Sequence, residues 1–327
     1  MEEFRHEFVE GPDANRLHVA TLGEGPLVLM VHGWPDAWIS WRTQMRAVAA
    51  AGYRAAALDV RGYGGSDAPN EISAYTMERL TRDNEAIIRA LGTDGKAVLV
   101  GHDWGAPIVY ATAYMRPHVV RAVIGLSSPP APAPAKKPSE AYAELYPDKL
   151  FYQAYFTREE GVAEAEFEAD LERFIRVMHF NLSGDTTLAD PVEALVRPAG
   201  STTLLDGLPE PDPFPAWLTR EEIAEYADHF RSHGLRGPLN RYRAQDIDFD
   251  EMQVYKDRKI EQPAIFVGGT REPSRHMQGF DRYADPVRRY ADCRGVYLIE
   301  GAGHWLQREA TDELNARIVD FLKELDS

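Results

Sequence analysis

The chain has 327 residues, of which 44% are hydrophobic and 27% are charged, a composition ordinary for a globular protein with a substantial core. Its formal net charge of −16 argues against nucleic acid or an anionic membrane surface as a partner. No apolar run approaches the length needed to cross a bilayer, so the sequence predicts no membrane partner.

Cysteine content and the N-terminus bear on the cellular compartment. Cys293 is the single cysteine, so no intramolecular disulfide can form, which fits a reducing environment. Residues 1–6 are charged and lack the apolar stretch of a secretion signal. We therefore expect a cytoplasmic protein, and we interpret Cys293 as a structural or incidental residue.

Predicted strands and helices alternate through the first part of the chain. Residues 27–31 are continuously apolar, as is typical of a strand buried on both faces, and residues 76–91 carry apolar side chains at helical spacing. The other strands predicted here are residues 4–9, 17–22, 54–58, 98–100 and 119–126, and the other helices are residues 40–51 and 107–112. This alternation predicts a mostly parallel sheet with helices on both faces.

The character of the chain changes at residue 127. A proline-rich segment, residues 128–134, leaves the predicted sheet, and residues 139–255 contain no evident buried strand. Helices are predicted there instead, among them residues 162–180 and 220–232. This part of the chain therefore reads as a helical insertion.

The alternation resumes after the insertion. The elements predicted there are strands at residues 264–268 and 295–299 and a last helix at residues 311–325. The sequence thus predicts an eight-stranded α/β core from residues 1–128 and 258–327, with a helical cap domain inserted at residues 129–257.

A Gly-x-Asp-x-Gly pentapeptide at residues 101–105 follows the strand at residues 98–100 and precedes a helix. Strand, sharp turn and helix are the geometry of a nucleophile elbow, in which small residues allow the tight bend. Most such elbows hold serine, whereas the central residue here is Asp103. A carboxylate is ionised at pH 7 without a base, and its attack on carbon forms an alkyl ester, which suits epoxide opening or halide displacement. The alternative is an ordinary turn whose aspartate caps the next helix.

A glycine-rich loop that holds His304 follows the last predicted strand. This is the position at which an α/β-hydrolase carries its general base, and the chain order of nucleophile, acid and histidine also matches that fold. A second glycine-rich loop, residues 59–66, lacks the spacing of a phosphate-binding loop and is interpreted as a structural turn. No cluster of potential ligands has metal-binding spacing, so no metal or organic cofactor is expected.

The whole chain resembles the α/β-hydrolase superfamily, and specifically the epoxide hydrolases of the soluble type. The core markers are residues 32–35, 101–105 and 303–305, and the markers in the insertion are residues 151–156 and 236–243. The insertion markers discriminate better, because the core pattern is shared with haloalkane dehalogenases. The resemblance implies conversion of an epoxide and water into a vicinal diol through an ester intermediate.

The resemblance also implies individual roles. Asp103 would be the nucleophile and His304 the base that activates water, while Tyr152 and Tyr242 would donate hydrogen bonds to the epoxide oxygen. A phenol suits that task because its pKa near 10 keeps it protonated at neutral pH. Tyr155 is the rival of Tyr152 for the first position, and Tyr152 or Tyr242 could instead be a packing residue of the cap.

The acid partner of His304 is the point at which the sequence departs from the family. The family position after the strand at residues 264–268 holds Glu272, where most relatives have aspartate. A glutamate can orient an imidazole equally well if its loop retreats by one methylene. Asp281 and Asp285 are the alternatives to Glu272.

Backbone and substrate contacts follow from the same resemblance. The N–H groups of Trp34 and Trp104 would form an oxyanion hole, and the Trp34–Pro35 peptide bond would be cis. The implied substrate contacts are Trp34, Pro35, Trp104, Gln153 and Trp305. Arg241 is a second departure, since relatives often carry an aromatic residue beside the tyrosine at that position.

Two other functions stay open on the sequence alone. A haloalkane dehalogenase would use the same nucleophile and base but must hold a halide, for which Trp104 could supply one donor. A ligand receptor built on the same fold would need no catalytic residues. The aromatic-rich cap leads us to expect an apolar epoxide as substrate, and the sequence leaves open which epoxide it is and whether the protein is a homo-oligomer.

Overall fold

The computed structural model describes residues 4–277 and 281–327 of the chain. Its strands are β1 (Arg5–Glu10), β2 (Arg16–Leu22), β3 (Leu27–Val31), β4 (Arg54–Leu58), β5 (Ala97–His102), β6 (Val120–Leu126), β7 (Leu150–Phe151), β8 (Val196–Arg197), β9 (Ile260–Gly269) and β10 (Tyr290–Ile299). Its α-helices are α1 (Arg42–Ala50), α2 (Met77–Leu91), α3 (Gly105–Met115), α4 (Pro138–Leu145), α5 (Tyr152–Arg158), α6 (Val162–Glu168), α7 (Leu171–Leu182), α8 (Arg220–Arg231), α9 (Arg236–Arg243), α10 (Gln245–Met252), α11 (Leu306–Glu309) and α12 (Thr311–Leu325).

Eight strands form one sheet in the order β1-β2-β4-β3-β5-β6-β9-β10. Strand β2 is antiparallel to both of its neighbours, and all other neighbouring strands pair in parallel. Every residue of the central strands β3 and β5 is buried, because helices cover a parallel sheet on both faces and leave no polar side. The predicted mostly parallel, eight-stranded sheet is confirmed.

The order of the strands also determines where the first helices lie. The chain passes from β3 to its neighbour β4 through α1, and then returns past β3 to β5 through α2. Because such crossovers are right-handed, the two helices lie on opposite faces of the sheet. Helix α1 packs with α12 on one face, and α2 packs with α3 on the other. No helix in the described ranges is both long and apolar enough to span a membrane.

The chain between β6 and β9 is mainly helical and contains α4 to α10. The expectation that it holds no buried strand is wrong for four residues, because β7 and β8 form a short antiparallel ladder and are buried. Strands of two residues show no alternation of polar and apolar side chains, so the sequence carries no signal for them. The exact limits of the cap, residues 129–257, stay a prediction.

The long helix expected at residues 162–180 is two helices. Helix α6 ends at Glu168, and α7 begins at Leu171 after Asp170, whose side chain accepts a hydrogen bond from the Arg173 N–H. An aspartate that satisfies this free N–H group starts a helix, so the chain turns there although the apolar spacing continues.

The parallel strands end at one edge of the sheet, and the predicted catalytic residues follow them there. Trp34 comes after β3, Asp103 after β5, Glu272 after β9 and His304 after β10. Residues far apart in sequence therefore meet at the carboxyl edge of the sheet, under the helical insertion.

Candidate active site

Asp103 occupies the turn between β5 and α3 with a φ angle of 51°, a left-handed conformation that few residues other than glycine adopt. The glycines on either side make this turn possible. A Cβ atom on Gly105 would lie 1.9 Å from the Val31 carbonyl oxygen, and one on Gly101 would lie 2.3 Å from the Gly105 oxygen. The strained, close-packed turn is that of a nucleophile elbow and presents the Asp103 carboxylate to a cavity.

Both oxygens of the Asp103 carboxylate have neighbours in the site. The Trp34 N–H donates to Oδ1 at 2.8 Å, and His304 Nε2 lies 3.5 Å from Oδ2. Gly33 lies so close that a Cβ atom there would be 2.2 Å from Oδ1. The Trp34–Pro35 peptide bond is cis, as the resemblance implies.

Glu272 contacts the imidazole of His304 from the other side. The Nδ1–H of His304 donates to Glu272 Oε2 at 2.8 Å, and the Ser274 N–H donates to Oε1 at 3.0 Å. Both side chains are buried. An ionised carboxylate only accepts hydrogen bonds, so this contact places a proton on Nδ1 and turns Nε2 towards Asp103.

The two alternative acids are engaged elsewhere. Asp281 accepts hydrogen bonds from the Arg275 guanidinium at 2.8 and 2.5 Å, and Asp285 forms an ion pair with Arg288. Neither aspartate contacts His304. Of the three candidate acids, Glu272 alone has the geometry of a partner for the imidazole.

The charges of Asp103, Glu272 and His304 strongly affect one another. Burial disfavours the imidazolium, but the carboxylates of Glu272 and Asp103 outweigh burial and raise the pKa of His304 to about 10. Burial likewise opposes ionisation of the two carboxyl groups, yet His304 holds the pKa of both Asp103 and Glu272 below the usual value. In the resting protein at neutral pH we therefore expect two carboxylates and an imidazolium.

Two side chains that the sequence did not predict fix the backbone of His304. The Nε2–H of His102 donates to the His304 carbonyl oxygen at 2.7 Å, and the Ser127 hydroxyl donates to the same oxygen at 2.9 Å. Both lie where strands of the carboxyl edge end, at the close of β5 and just after β6. Sequence reasoning could have found both residues by this position, because a polar residue at the carboxyl end of a parallel strand lies near the site.

The two predicted tyrosines come from different helices of the insertion. Tyr152 is the first residue of α5 and Tyr242 lies in α9, with their ring centres 6.1 Å apart. The Gln153 amide donates to the Tyr152 phenol oxygen at 2.6 Å, which leaves the phenol proton free to point elsewhere. Burial and the charge of Asp103 raise the pKa of both phenols, so they stay protonated at neutral pH.

Tyr155, the rival of Tyr152, does not line the cavity. Its ring is buried against Phe156 and Phe167 within the insertion. Tyr152, in contrast, lines the cavity, so the structure favours Tyr152 for the first position.

Trp305 was expected to contact substrate, and the structure contradicts this. Its side chain is 1% exposed, its ring stacks on His179 at 4.2 Å, and its indole N–H donates to the His179 carbonyl oxygen at 2.9 Å. Successive residues of an extended loop point to opposite sides, so a cavity-facing His304 sends Trp305 into the core. We reinterpret Trp305 as a packing residue beneath the loop.

Arg241, the second departure from the family, is a buried cation beside the site. Its guanidinium lies 4.8 Å from the centre of the Trp104 ring, pairs with Asp248 and donates to the Tyr75 carbonyl oxygen. These contacts link α9 to the core below Tyr242.

A cavity of about 260 Å³ unites these groups. The predicted site residues that line it are Trp34, Pro35, Asp103, Trp104, Tyr152, Gln153, Tyr242, Glu272 and His304. Its apolar wall includes Phe151, Met178, Leu182 and Leu195. Among the described residues, no group of three or more His, Cys, Asp or Glu side chains is arranged to hold a metal ion.

Comparison with known proteins places the chain in a family. A family model described as the alpha/beta hydrolase fold matches residues 26–311. Epoxide hydrolase A of Mycobacterium tuberculosis is 38% identical over 95% of each chain, and epoxide hydrolase 2 of Siraitia grosvenorii is 32% identical over 99% of each.

Solved structures agree with the sequence relatives. The chain superposes on an epoxide hydrolase from an endophytic Streptomyces with a TM-score of 0.94 and 39% identity, covering 100% of this chain and 97% of the other. Epoxide hydrolase A from Mycobacterium thermoresistibile gives 0.90 and 38%, covering 98% of each. The chain therefore belongs to the α/β-hydrolase family and, within it, to the epoxide hydrolases.

Proposed function

We propose that this protein converts an epoxide and water into a vicinal diol in two chemical steps, joined by an alkyl ester of Asp103. The observation that carries the proposal is that one cavity of about 260 Å³ is lined by a carboxylate, a histidine–glutamate pair and two phenols. Each of these groups suits one part of the reaction, and each comes from a different element of the fold.

In the first step the Asp103 carboxylate attacks a ring carbon of the epoxide. The new bond joins a carboxylate oxygen to carbon, the ring C–O bond breaks, and the epoxide oxygen leaves with the bonding electrons. Tyr152 and Tyr242 donate hydrogen bonds to that oxygen, and one of them gives it a proton. Their pKa values lie above 10, so the donated proton is present at neutral pH.

Ester formation also changes the charge of the site. It removes the negative charge of Asp103, which lies 3.5 Å from His304 Nε2 and contributes to the raised pKa of that imidazole. The pKa of His304 then falls, and the proton that it releases balances the one that the phenol gave to the product oxygen. His304 thus becomes a neutral base once the ester exists.

In the second step His304 takes a proton from a water molecule, which attacks the carbonyl carbon of the ester. Glu272 keeps Nε2 turned to the water and stabilises the imidazolium that forms. The Trp34 and Trp104 N–H groups would hold the oxyanion of the tetrahedral species, the former already 2.8 Å from an Asp103 oxygen. Collapse releases the diol, restores the carboxylate, and leaves the remaining proton on His304.

A haloalkane dehalogenase is the second candidate, because it would share the nucleophile and the base. Two phenols facing Asp103 favour an epoxide, since a departing alkoxide needs a proton and a halide does not. The test is a panel of epoxides and haloalkanes assayed with one purified batch. We expect diol from apolar epoxides and no halide release; halide release without diol formation would contradict the proposal, and neither product would favour a receptor.

Three further expectations stay predictions. The apolar wall of the cavity, with Phe151, Met178, Leu182 and Leu195, supports an apolar epoxide as substrate. Cytoplasmic location is inferred from the single cysteine, Cys293, which fits a reducing environment. Self-association stays open, and sedimentation of the purified chain would measure it.

A further inference from the structure

Glu309, the last residue of α11, has a side chain that turns back onto the loop carrying His304. Its Oε2 accepts the N–H of Gly303 at 2.8 Å and the N–H of Gly184 at 2.7 Å, and its Oε1 accepts the N–H of Trp305 at 2.7 Å. One carboxylate therefore binds the residues immediately before and after His304, and a third residue in the loop that follows α7.

No ion pair accounts for the position of this carboxylate. No arginine, lysine or histidine forms an ion pair with Glu309 within residues 4–277 and 281–327. Burial raises the pKa of Glu309, and the three N–H groups and the charge of His304 only partly offset that cost. A buried carboxylate that accepts hydrogen bonds from three backbone N–H groups fixes the path of those backbones.

Other backbone contacts also fix the loop that carries His304. The N–H of His304 donates to the Leu182 carbonyl oxygen at 3.0 Å. A Cβ atom on Gly303 would lie 2.3 Å from the Gly184 nitrogen, so the two loops touch through their backbones. Glu309 lies across this contact and joins the end of α7 in the insertion to the histidine loop of the core.

We infer that Glu309 is a positioning residue for His304, whose bonds to Gly303, Trp305 and Gly184 hold the imidazole at the distance from Asp103 that ester hydrolysis requires. The inference rests on the proposed role of His304 as the base. A displacement of about 1 Å at a reacting group can cost about a hundredfold in rate. Ring opening uses Asp103 and the tyrosines and does not depend on this loop.

Glu309→Gln tests the inference, because the amide has nearly the same shape but offers one acceptor oxygen in place of two. We expect ester hydrolysis to slow by about ten- to a hundredfold and ring opening to change less than about twofold. In steady state kcat and KM then fall together while kcat/KM, which reports ring opening, is preserved. Intact-protein mass spectrometry should show the ester accumulating during turnover.

Matched variants separate positioning from general stability. Glu313→Gln removes an exposed carboxylate of α12 that pairs with Arg317, and it should leave both steps unchanged. Glu309→Asp keeps the charge but is one methylene shorter, so it should slow the same step less, and it serves the same test if the amide variant does not fold. Unchanged kcat in either folded Glu309 variant, or a kcat/KM that falls as far as kcat, would overturn the inference.

His304→Gln provides the reference for these outcomes. If that variant accumulates ester and the Glu309 variants do not, the positioning role alone is refuted. If His304→Gln accumulates none, the proposed mechanism fails and the role of Glu309 fails with it. The structure predicts that His304→Gln and the Glu309 variants all accumulate ester and that ring opening is intact in each of them.

Discussion

The charge coupling between Asp103 and His304 yields a prediction that can be measured without any substrate. Asp103→Asn removes one negative charge and preserves the shape of the side chain. With 3.5 Å between Asp103 Oδ2 and His304 Nε2, Coulomb's law at an effective dielectric constant of about 20 gives an interaction of about 5 kcal/mol. At 1.36 kcal/mol per pH unit, the pKa of His304 should fall by about three and a half units from its raised value of about 10.

Nuclear magnetic resonance of the histidine ring protons would measure this pKa, with His304→Gln used to assign the signal. Asp281→Asn is the matched control, since that aspartate pairs with Arg275 and should leave the pKa of His304 unchanged. A His304 pKa in Asp103→Asn within about half a unit of the parent value would refute the coupling.

The same coupling sets the pH dependence of the second step. In the ester the charge of Asp103 is absent, so we expect His304 to titrate well below the value of about 10 found in the resting protein. Only neutral His304 accepts a proton from water, so ester hydrolysis should slow as the pH falls through that lower pKa. Single-turnover hydrolysis measured against pH checks this; a midpoint near 10 would contradict it.

Two further predictions concern the remaining side chains of the site. Tyr152→Phe and Tyr242→Phe should each slow ring opening by about a hundred- to ten-thousand-fold and leave folding intact, as measured by stopped-flow single turnover and circular dichroism; ring opening at the parent rate in the double variant would contradict the assignment. Glu272→Gln should slow ester hydrolysis more than ester formation, because the acid orients His304, while Asp281→Asn should change neither. The reverse pattern for these two acids would exclude Glu272 as the partner.

The fold could be predicted where hydrophobic period and local chemistry agree. Strand β3 and helix α12 have the limits predicted from the sequence, because a buried strand is continuously apolar and a surface helix repeats every three to four residues. The elbow at Asp103 was predictable because glycines at fixed spacing are a steric requirement of the turn. Glu272 was found by its place after β9.

The misses have local physical causes. The end of α6 depends on a single capping bond at Asp170, which competes with an unbroken apolar pattern. Trp305 was misassigned because the sequence places it beside His304 but does not say which way a loop side chain points. The role inferred for Glu309 needs three backbone contacts, two of them to the loop just before its own helix and one to a residue more than a hundred positions away. Such contacts exist only in the folded chain.

Trapping the intermediate in His304→Gln tests the central claim most directly. The nucleophile and the tyrosines are intact in this variant, so ring opening should proceed once, whereas the neutral amide cannot take a proton from water. Intact-protein mass spectrometry should then show a gain equal to the mass of the whole epoxide, since ring opening loses no atom, and peptide mapping should place it on Asp103. No adduct, or an adduct on another residue, would contradict the mechanism.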